Sequence, residues 1–278
     1  MLLSAFIHDS SLAVQRLYPE REAREIVLRL CEDILGVSRV EHILNPEAQI
    51  SDERAPKLQD ALSRVLRAEP LQYVLGYAEF CGRRFKVAPG VLIPRPETEL
   101  LVERARPYAS AGSRVLDLCT GSGCIAWSIA LDCPGTEVVA VDVSASALEQ
   151  AASQFEGAGP SFVKADILEP LPLEGQFDLL LSNPPYIMES EKSQMRPNVL
   201  EYEPELALFV PDGDPLLFYR AIAQRAAELL RAGGTALAEI NESLAPQTLR
   251  LFEDAGMRNC SILEDFAAKP RFIFFQKP

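Results

Sequence analysis

The chain predicts an α/β fold: a doubly wound, mostly parallel seven-stranded sheet, with a small N-terminal helical domain joined to it by a β-hairpin. Three observations predict it. From about residue 111 onward, short apolar runs alternate with segments of helical period, and strands that alternate with helices are connected in parallel by crossovers. Before residue 70 the apolar positions keep helical spacing. Between the two, Tyr77, Phe80, Phe85 and Val87 flank Gly82, the pattern of a hairpin. The expected boundaries are 1–70 for the helical domain, 71–95 for the hairpin connection and 96–278 for the sheet domain.

In the first domain, residues 19–37 place Ala23, Ile26, Val27, Leu30, Ile34 and Leu35 close to a 3.6-residue period, and Gly36 offers a stop. Residues 51–70 open on Ser51, a cap candidate, and set Leu58, Leu62, Val65 and Leu66 on one face before Pro70. Nothing in these helices points to chemistry. After the hairpin, "VLIPRPETE" (91–99) is read as extended, because each proline biases its predecessor away from helix. Then "SRVLDL", "EVVAVDV", "SFVKAD", "FDLLLSN", "GTALAEI", "CSILE" and "RFIFFQ" read as the seven strands, with helical segments between most of them. The stretch 188–207 shows the least pattern and is expected to be a mobile loop.

Size and composition bound the function. With 278 residues and 48% hydrophobic content the chain can bury a sizeable core. The net charge is −13, and almost all of it falls after residue 88, where 15 Lys and Arg face 27 Asp and Glu. Such a surface repels a phosphate backbone, so no direct nucleic-acid partner is expected. The six cysteines form no Cys-x-x-Cys pair and there are only two histidines, so no metal site is expected. Free apolar cysteines, no basic leader and no long apolar span suit a cytoplasmic protein without a membrane anchor.

The chemistry-bearing signals sit at strand ends. Val115–Leu118 runs into "DLCTGSGCIA", where Gly121, Gly123 and Ala126 fit Gly-x-Gly-x-x-Gly/Ala and Asp142 lies 21 residues after Gly121. Glycines let a ligand approach the backbone, and an acidic residue ending the next strand accepts from ribose hydroxyls. Such a turn suits NAD or S-adenosylmethionine; a turn that serves packing alone remains an open reading. Three features favour S-adenosylmethionine. Asp117 before the turn suits a cationic amino-acid moiety better than a pyrophosphate. Asp166, at the end of the third strand, can accept from an adenine amino group. The fourth strand ends in "SNPPYI".

Methyl transfer to a planar –NH2 needs acceptors that grip its N–H groups and orient a delocalised lone pair. Asn183 offers a side-chain carbonyl and Pro184 a backbone carbonyl without a competing N–H. Pro185 stiffens the turn and Tyr186 can stack on a planar group. On that reading Tyr186→Phe is expected to be mild. A simple proline-rich strand exit remains the bland alternative.

"SNPPYI" resembles the methyltransferases that act on planar –NH2 groups, both the adenine-N(6) nucleic-acid enzymes and the protein glutamine-N(5) enzymes. "LQYVLGYAEFCGRRFKVAPGVLIPRPETELLVE" (71–103), "EYEPELALF" (201–209) and "DFAAKPRFIF" (265–274) resemble the release-factor glutamine methyltransferases, the HemK/PrmC family. That resemblance implies a Rossmann-like methyltransferase acting on the glutamine of a Gly-Gly-Gln motif in peptide-chain release factors. It implies cofactor contacts from Cys119, Thr120, Gly121, Ser122, Gly123, Asp142, Asp166, Ile167 and Asn183, and substrate contacts from Asn183, Pro184, Pro185 and Tyr186. It also implies docking of the protein substrate on the helical domain; a monomer is expected. An adenine-N(6) methyltransferase and a non-catalytic cofactor-binding adaptor stay open. Two positions depart from the family pattern. Cys119 stands where glycine is usual, so the turn is not expected to rely on positive φ there. Asn241 also replaces a usual glycine and is expected to lie clear of the chemistry. Arg95, Glu97 and Glu99 form a charged set of undecided role, and Glu203 with Pro204 is a candidate for closing over the site.

Overall fold

The computed structural model describes residues 1–45 and 47–278. The chain divides into two units, Met1–Tyr77 with Arg196–Tyr202, and Ala78–Met195 with Glu203–Pro278.

The first unit is helical: α1 (Leu3–Val14), α2 (Glu20–Leu35), α3 (Arg39–Leu44), α4 (Ala55–Val65) and α5 (Leu71–Leu75). Helix α1 has no counterpart in the sequence reading. Its serines interrupt the apolar pattern, yet Ser10 and Ser11 are buried and the Ser11 hydroxyl donates to the carbonyl of Ile7 at 2.6 Å. A hydroxyl that returns its hydrogen to its own helix can sit on the inner face. Helix α2 ends at Gly36, whose φ of 71° lets its N–H reach the Glu32 carbonyl. Ser51 does not cap α4 with its side chain; its carbonyl accepts from Ala55, and the helix begins four residues later than its periodic pattern suggests. Leu30, Val27, Leu58 and Val65 fill the core of this unit.

The second unit opens with a hairpin, β1 (Tyr77–Phe80) and β2 (Arg83–Lys86), turned by Cys81 at φ 48° and Gly82 at φ 71°. Two central residues at positive φ match the twist of the strands they join. Helix α6 (Pro96–Ala105) follows, then β3 (Arg114–Leu118), α7 (Cys124–Asp132), β4 (Glu137–Asp142), α8 (Ala145–Ala152), β5 (Ser161–Lys164) and β6 (Phe177–Ser182). The stretch expected to be a mobile loop carries structure of its own. The short strands β7 (Ile187–Met188) and β8 (Phe209–Val210) pair, with 3-10 turns at Glu189–Gln194 and Glu205–Ala207; the one-turn helix α9 (Pro197–Leu200) of the same stretch belongs to the first unit. Elements this short leave too little periodicity to read in a sequence. Helix α10 (Leu217–Leu229), β9 (Leu230–Glu239), α11 (Ala245–Asp254), β10 (Arg258–Glu264) and β11 (Pro270–Gln276) complete the chain.

The seven-stranded sheet has the order β10-β11-β9-β6-β3-β4-β5. Strands β9, β6, β3, β4 and β5 are parallel, and β11 runs against both of its neighbours. Both faces are covered. Leu116, Leu118 and Leu180 face one apolar cluster with α10 and α11 residues such as Ile222 and Phe252. Val115, Leu179 and Leu181 face the other with Leu101 and Ile125. Burial on both faces explains why "LLL" in β6 shows no alternation. After β3 the chain moves outward to β4 and β5, then crosses back to place β6 on the other side of β3. That reversal opens a crevice at the carboxyl ends of β3 and β6. No helix among the described residues is long and apolar enough to cross a membrane.

Candidate functional site

The crevice is bounded by the turn leaving β3. Cys119, Gly121 and Gly123 all have positive φ, at 60°, 54° and 79°. The expectation for Cys119 is therefore corrected: it adopts the left-handed conformation without being glycine, at a cost of about 1–2 kcal/mol. The geometry around it compels this. The next residue, Thr120, sends its N–H to Val141 at 3.0 Å and its hydroxyl to Asp117 Oδ2 at 2.6 Å. Gly123 allows close packing instead; a Cβ there would lie 2.9 Å from the Ala151 Cβ. The turn is held from outside by buried Gln154, whose amide donates to the Ser122 carbonyl at 3.0 Å and whose oxygen accepts from Lys86 N at 2.7 Å.

Asp142, at the end of β4, accepts from Gly121 N at 2.8 Å with one oxygen and from Ser144 N at 2.9 Å with the other. Each oxygen keeps a lone pair for a ligand. Burial raises its pKa, and these backbone donors oppose the rise. Asp166 lies two residues past the end of β5, its Oδ1 held by Leu168 N at 2.9 Å. Gly121, Asp142, Asp166, Ile167, Asn183 and Pro185 share one cleft with Cys119, Leu206 and Phe218. The cleft is open to solvent on one side and has a cavity volume of about 170 Å³. Thr120 and Ser122 line a smaller adjoining hollow with Arg95, Thr98 and Asn183.

Asp117, Gly123, Pro184 and Tyr186 line neither space. Asp117 is fully buried behind the turn, and its Oδ1 has no hydrogen-bond partner among the described residues. Burial pushes its carboxyl up to about 7, against the Thr120 hydroxyl that lowers it.

The strand β6 ends with Ser182, whose hydroxyl donates to the Leu118 carbonyl at 2.8 Å and so pins the two strand ends together. Asn183 then donates from Nδ2 to Thr98 Oγ1 at 3.3 Å. The Thr98 hydroxyl donates to Glu239 Oε2 at 2.7 Å, and the Tyr186 hydroxyl donates to Glu239 Oε1 at 2.7 Å. Glu239 closes β9 and is fully buried; burial raises its pKa, with both hydroxyls and Arg271 pulling the other way. The Tyr186 phenol is pushed well above its ordinary value by burial and by that carboxylate. Asn241 is not clear of this loop, contrary to the sequence expectation: its Nδ2 donates to the Tyr186 carbonyl at 3.1 Å and to Glu191 at 3.0 Å. A side chain at that position can reach across a gap that glycine leaves open.

Glu203 is buried and paired. It accepts from Ile93 N at 3.1 Å and from Arg95 at 2.6 Å, which places Pro204 and Leu206 on the cleft wall. Glu97 and Glu99 fall in the first turn of α6, where negative charge suits the helix dipole. Sequence reasoning missed Thr98, Gln154 and Glu239. A glutamate closing an otherwise apolar strand was the available signal for Glu239; a lone Thr or Gln within a helical stretch gives none.

The fold and site can be set beside known proteins. Residues 96–201 match the model for the methyltransferase small domain, and residues 11–76 match that for the PrmC N-terminal domain. A release factor glutamine methyltransferase of Bacteroides thetaiotaomicron is 41% identical over 274 residues, covering 98% of each chain. One from Flavobacterium psychrophilum is 35% identical over 280 residues, again covering 98% of each. The crystal structure of a methyltransferase from Pyrococcus furiosus aligns with a TM-score of 0.53 at 16% identity, over 79% of this chain and 98% of that one, a likeness of fold. With such identity running along almost its whole length, the chain belongs to the release factor glutamine methyltransferase family.

Proposed function

We propose that this chain methylates the side-chain amide nitrogen of the glutamine in the Gly-Gly-Gln motif of peptide-chain release factors, with S-adenosylmethionine as methyl donor. One observation carries the reading: Asn183 and Pro185 share a cleft with Gly121, Asp142 and Asp166 at the strand reversal. An amide-gripping motif and a nucleoside-binding turn thus open on the same space. The names of the relatives support the substrate class.

The residues fit the donor molecule. Asp142 has free acceptor capacity for ribose hydroxyls, Asp166 and Ile167 flank the position of a base, and the unpartnered Asp117 Oδ1 is a buried acceptor behind the turn. When bound, S-adenosylmethionine supplies an electrophilic methyl group on a sulfonium. The protein supplies the rest. The Asn183 side-chain oxygen takes one substrate N–H bond and turns the amide nitrogen toward the donor; the Pro184 carbonyl, which does not line the cleft, is assigned the second N–H only once substrate is bound. Tyr186 and Pro185 stiffen the loop that carries them. Docking of the protein substrate on the helical unit follows from the family resemblance, supported by the match of residues 11–76 to the PrmC N-terminal domain, and a cytoplasmic reaction is the expectation that goes with a release-factor substrate.

Mass spectrometry of a release factor before and after incubation with enzyme and cofactor tests this. One added methyl on the Gly-Gly-Gln glutamine is expected, and Asn183→Ala is expected to lower kcat on the order of 100-fold while circular dichroism is unchanged. Methylation of adenine in DNA or RNA, with none on release factor, refutes the reading in favour of the nucleic-acid enzymes.

A further inference from the structure

Asn183 is useful to an amide substrate in only one of its two rotational states. If Oδ1 faces the cleft it accepts from the substrate N–H; if Nδ2 faces the cleft, two donors confront each other. The protein must therefore choose a flip, and Asn183 cannot choose it alone.

The choice can be traced through hydrogen inventory. The hydroxyls of Thr98 and Tyr186 both donate to Glu239, one to each oxygen, at 2.7 Å. The Thr98 hydroxyl has one hydrogen, and it is spent on Glu239. Its oxygen can then only accept, so the atom of Asn183 facing it is Nδ2, at 3.3 Å. Asn183 Oδ1 is left to the cleft. Thr98 and Glu239 are both buried. The same carboxylate holds Tyr186 from the other end of the motif, so one group sets both sides of the loop.

We propose that Thr98 and Glu239 are positioning residues that fix the flip of the Asn183 amide, so that its oxygen meets the substrate –NH2. The proposal rests on the functional reading above, yet the flip itself is observable without turnover. Glu97, beside Thr98 in the sequence, acts on the relay through its charge, which opposes ionisation of Glu239.

The test uses the full-length protein with Thr98→Val, Thr98→Ser and Glu239→Gln. Single-turnover methylation of a release factor, cofactor affinity by calorimetry and the asparagine side-chain signals of 15N-asparagine-labelled protein are measured for each. The Asn183 –NH2 signal is assigned by its loss in Asn183→Asp. Thr98→Val is expected to lower kcat about 10- to 100-fold with KM and cofactor Kd within threefold, and to shift and deprotect the Asn183 –NH2 signal. Thr98→Ser, which keeps the hydroxyl, is expected to recover most of the rate and the wild-type signal. Glu239→Gln keeps an acceptor for only one of the two hydroxyls; its oxygen can stay on Thr98 while its –NH2 donates to the Tyr186 hydroxyl, so this variant reports on Tyr186 and is not decisive for the relay. A folded Thr98→Val with kcat within twofold of wild type, or with an unmoved Asn183 signal, overturns the relay. If Thr98→Val does not fold, the hydrogen exchange of the wild-type Asn183 –NH2 decides it: slow exchange supports the relay, and exchange at the rate of a free side-chain amide overturns it. Wild-type protein that leaves release factor unmodified overturns the functional reading, while the Asn183 signal still decides the relay separately.

Discussion

At the scale of single residues, buried acidic groups dominate the site. The Asp117 carboxyl is pushed up to about 7 by burial, well above its value in the unfolded chain. The folded state therefore holds that proton more tightly than the unfolded state does. Stability from this group is fully present below about pH 4 and is lost as pH rises toward 7, at about 1.4 kcal/mol per pH unit. Asp117→Asn is expected to flatten the pH dependence of ligand-free stability in that window, measured by urea denaturation at several pH values; an unchanged slope contradicts it. Tyr186→Phe, expected to be mild in rate, is expected to carry a cost in stability. It removes the donor to Glu239 Oε1 and leaves a buried acceptor unpaired, so a loss of about 1–3 kcal/mol is expected in the same assay.

Among the local elements, the turn after β3 uses its glycines for different ends. At Gly121 a Cβ meets nothing within 4 Å, and only φ resists it; at Gly123 a Cβ meets Ala151 at 2.9 Å and Trp127 at 3.2 Å. Gly121→Ala is expected to cost about 1 kcal/mol from backbone strain. Gly123→Ala adds overpacking and is expected to cost a further 1–3 kcal/mol. Thermal denaturation that ranks the two in the opposite order removes this account. The hairpin and the segment just after α8 matter to the same turn, since Gln154 links Lys86 to Ser122.

For the molecule as a whole, each unit has its own apolar core. Leu58 is fully buried among Val27, Leu30 and Val65 of the helical unit, while the cleft is lined wholly by residues of the sheet unit. Leu58→Ala is expected to destabilise the helical unit by about 2–5 kcal/mol and to leave cofactor affinity within twofold. Calorimetric titration of that variant with S-adenosylmethionine checks it; a large loss of affinity means that the two cores are coupled. The net charge of −13 belongs to this scale too, because long-range repulsion of polyanions depends on the summed field and not on any one side chain.

The sheet and the places where chemistry gathers were legible in the chain before it was folded. Apolar runs, helical period and glycine punctuation are local, so strands such as Phe177–Ser182 and the turn at Gly121 and Gly123 could be read directly. The helix Leu3–Val14 and the short elements between Ile187 and Val210 could not, because buried serines and brief segments erase the period. Only the tertiary structure decided what surrounds Asn183. Thr98 and Glu239 lie 141 positions apart, and Asn241 meets the Tyr186 carbonyl across 55. Hydrogen bonds across such separations leave no periodicity in the chain; they exist because the strand order brings the ends of β6 and β9 side by side.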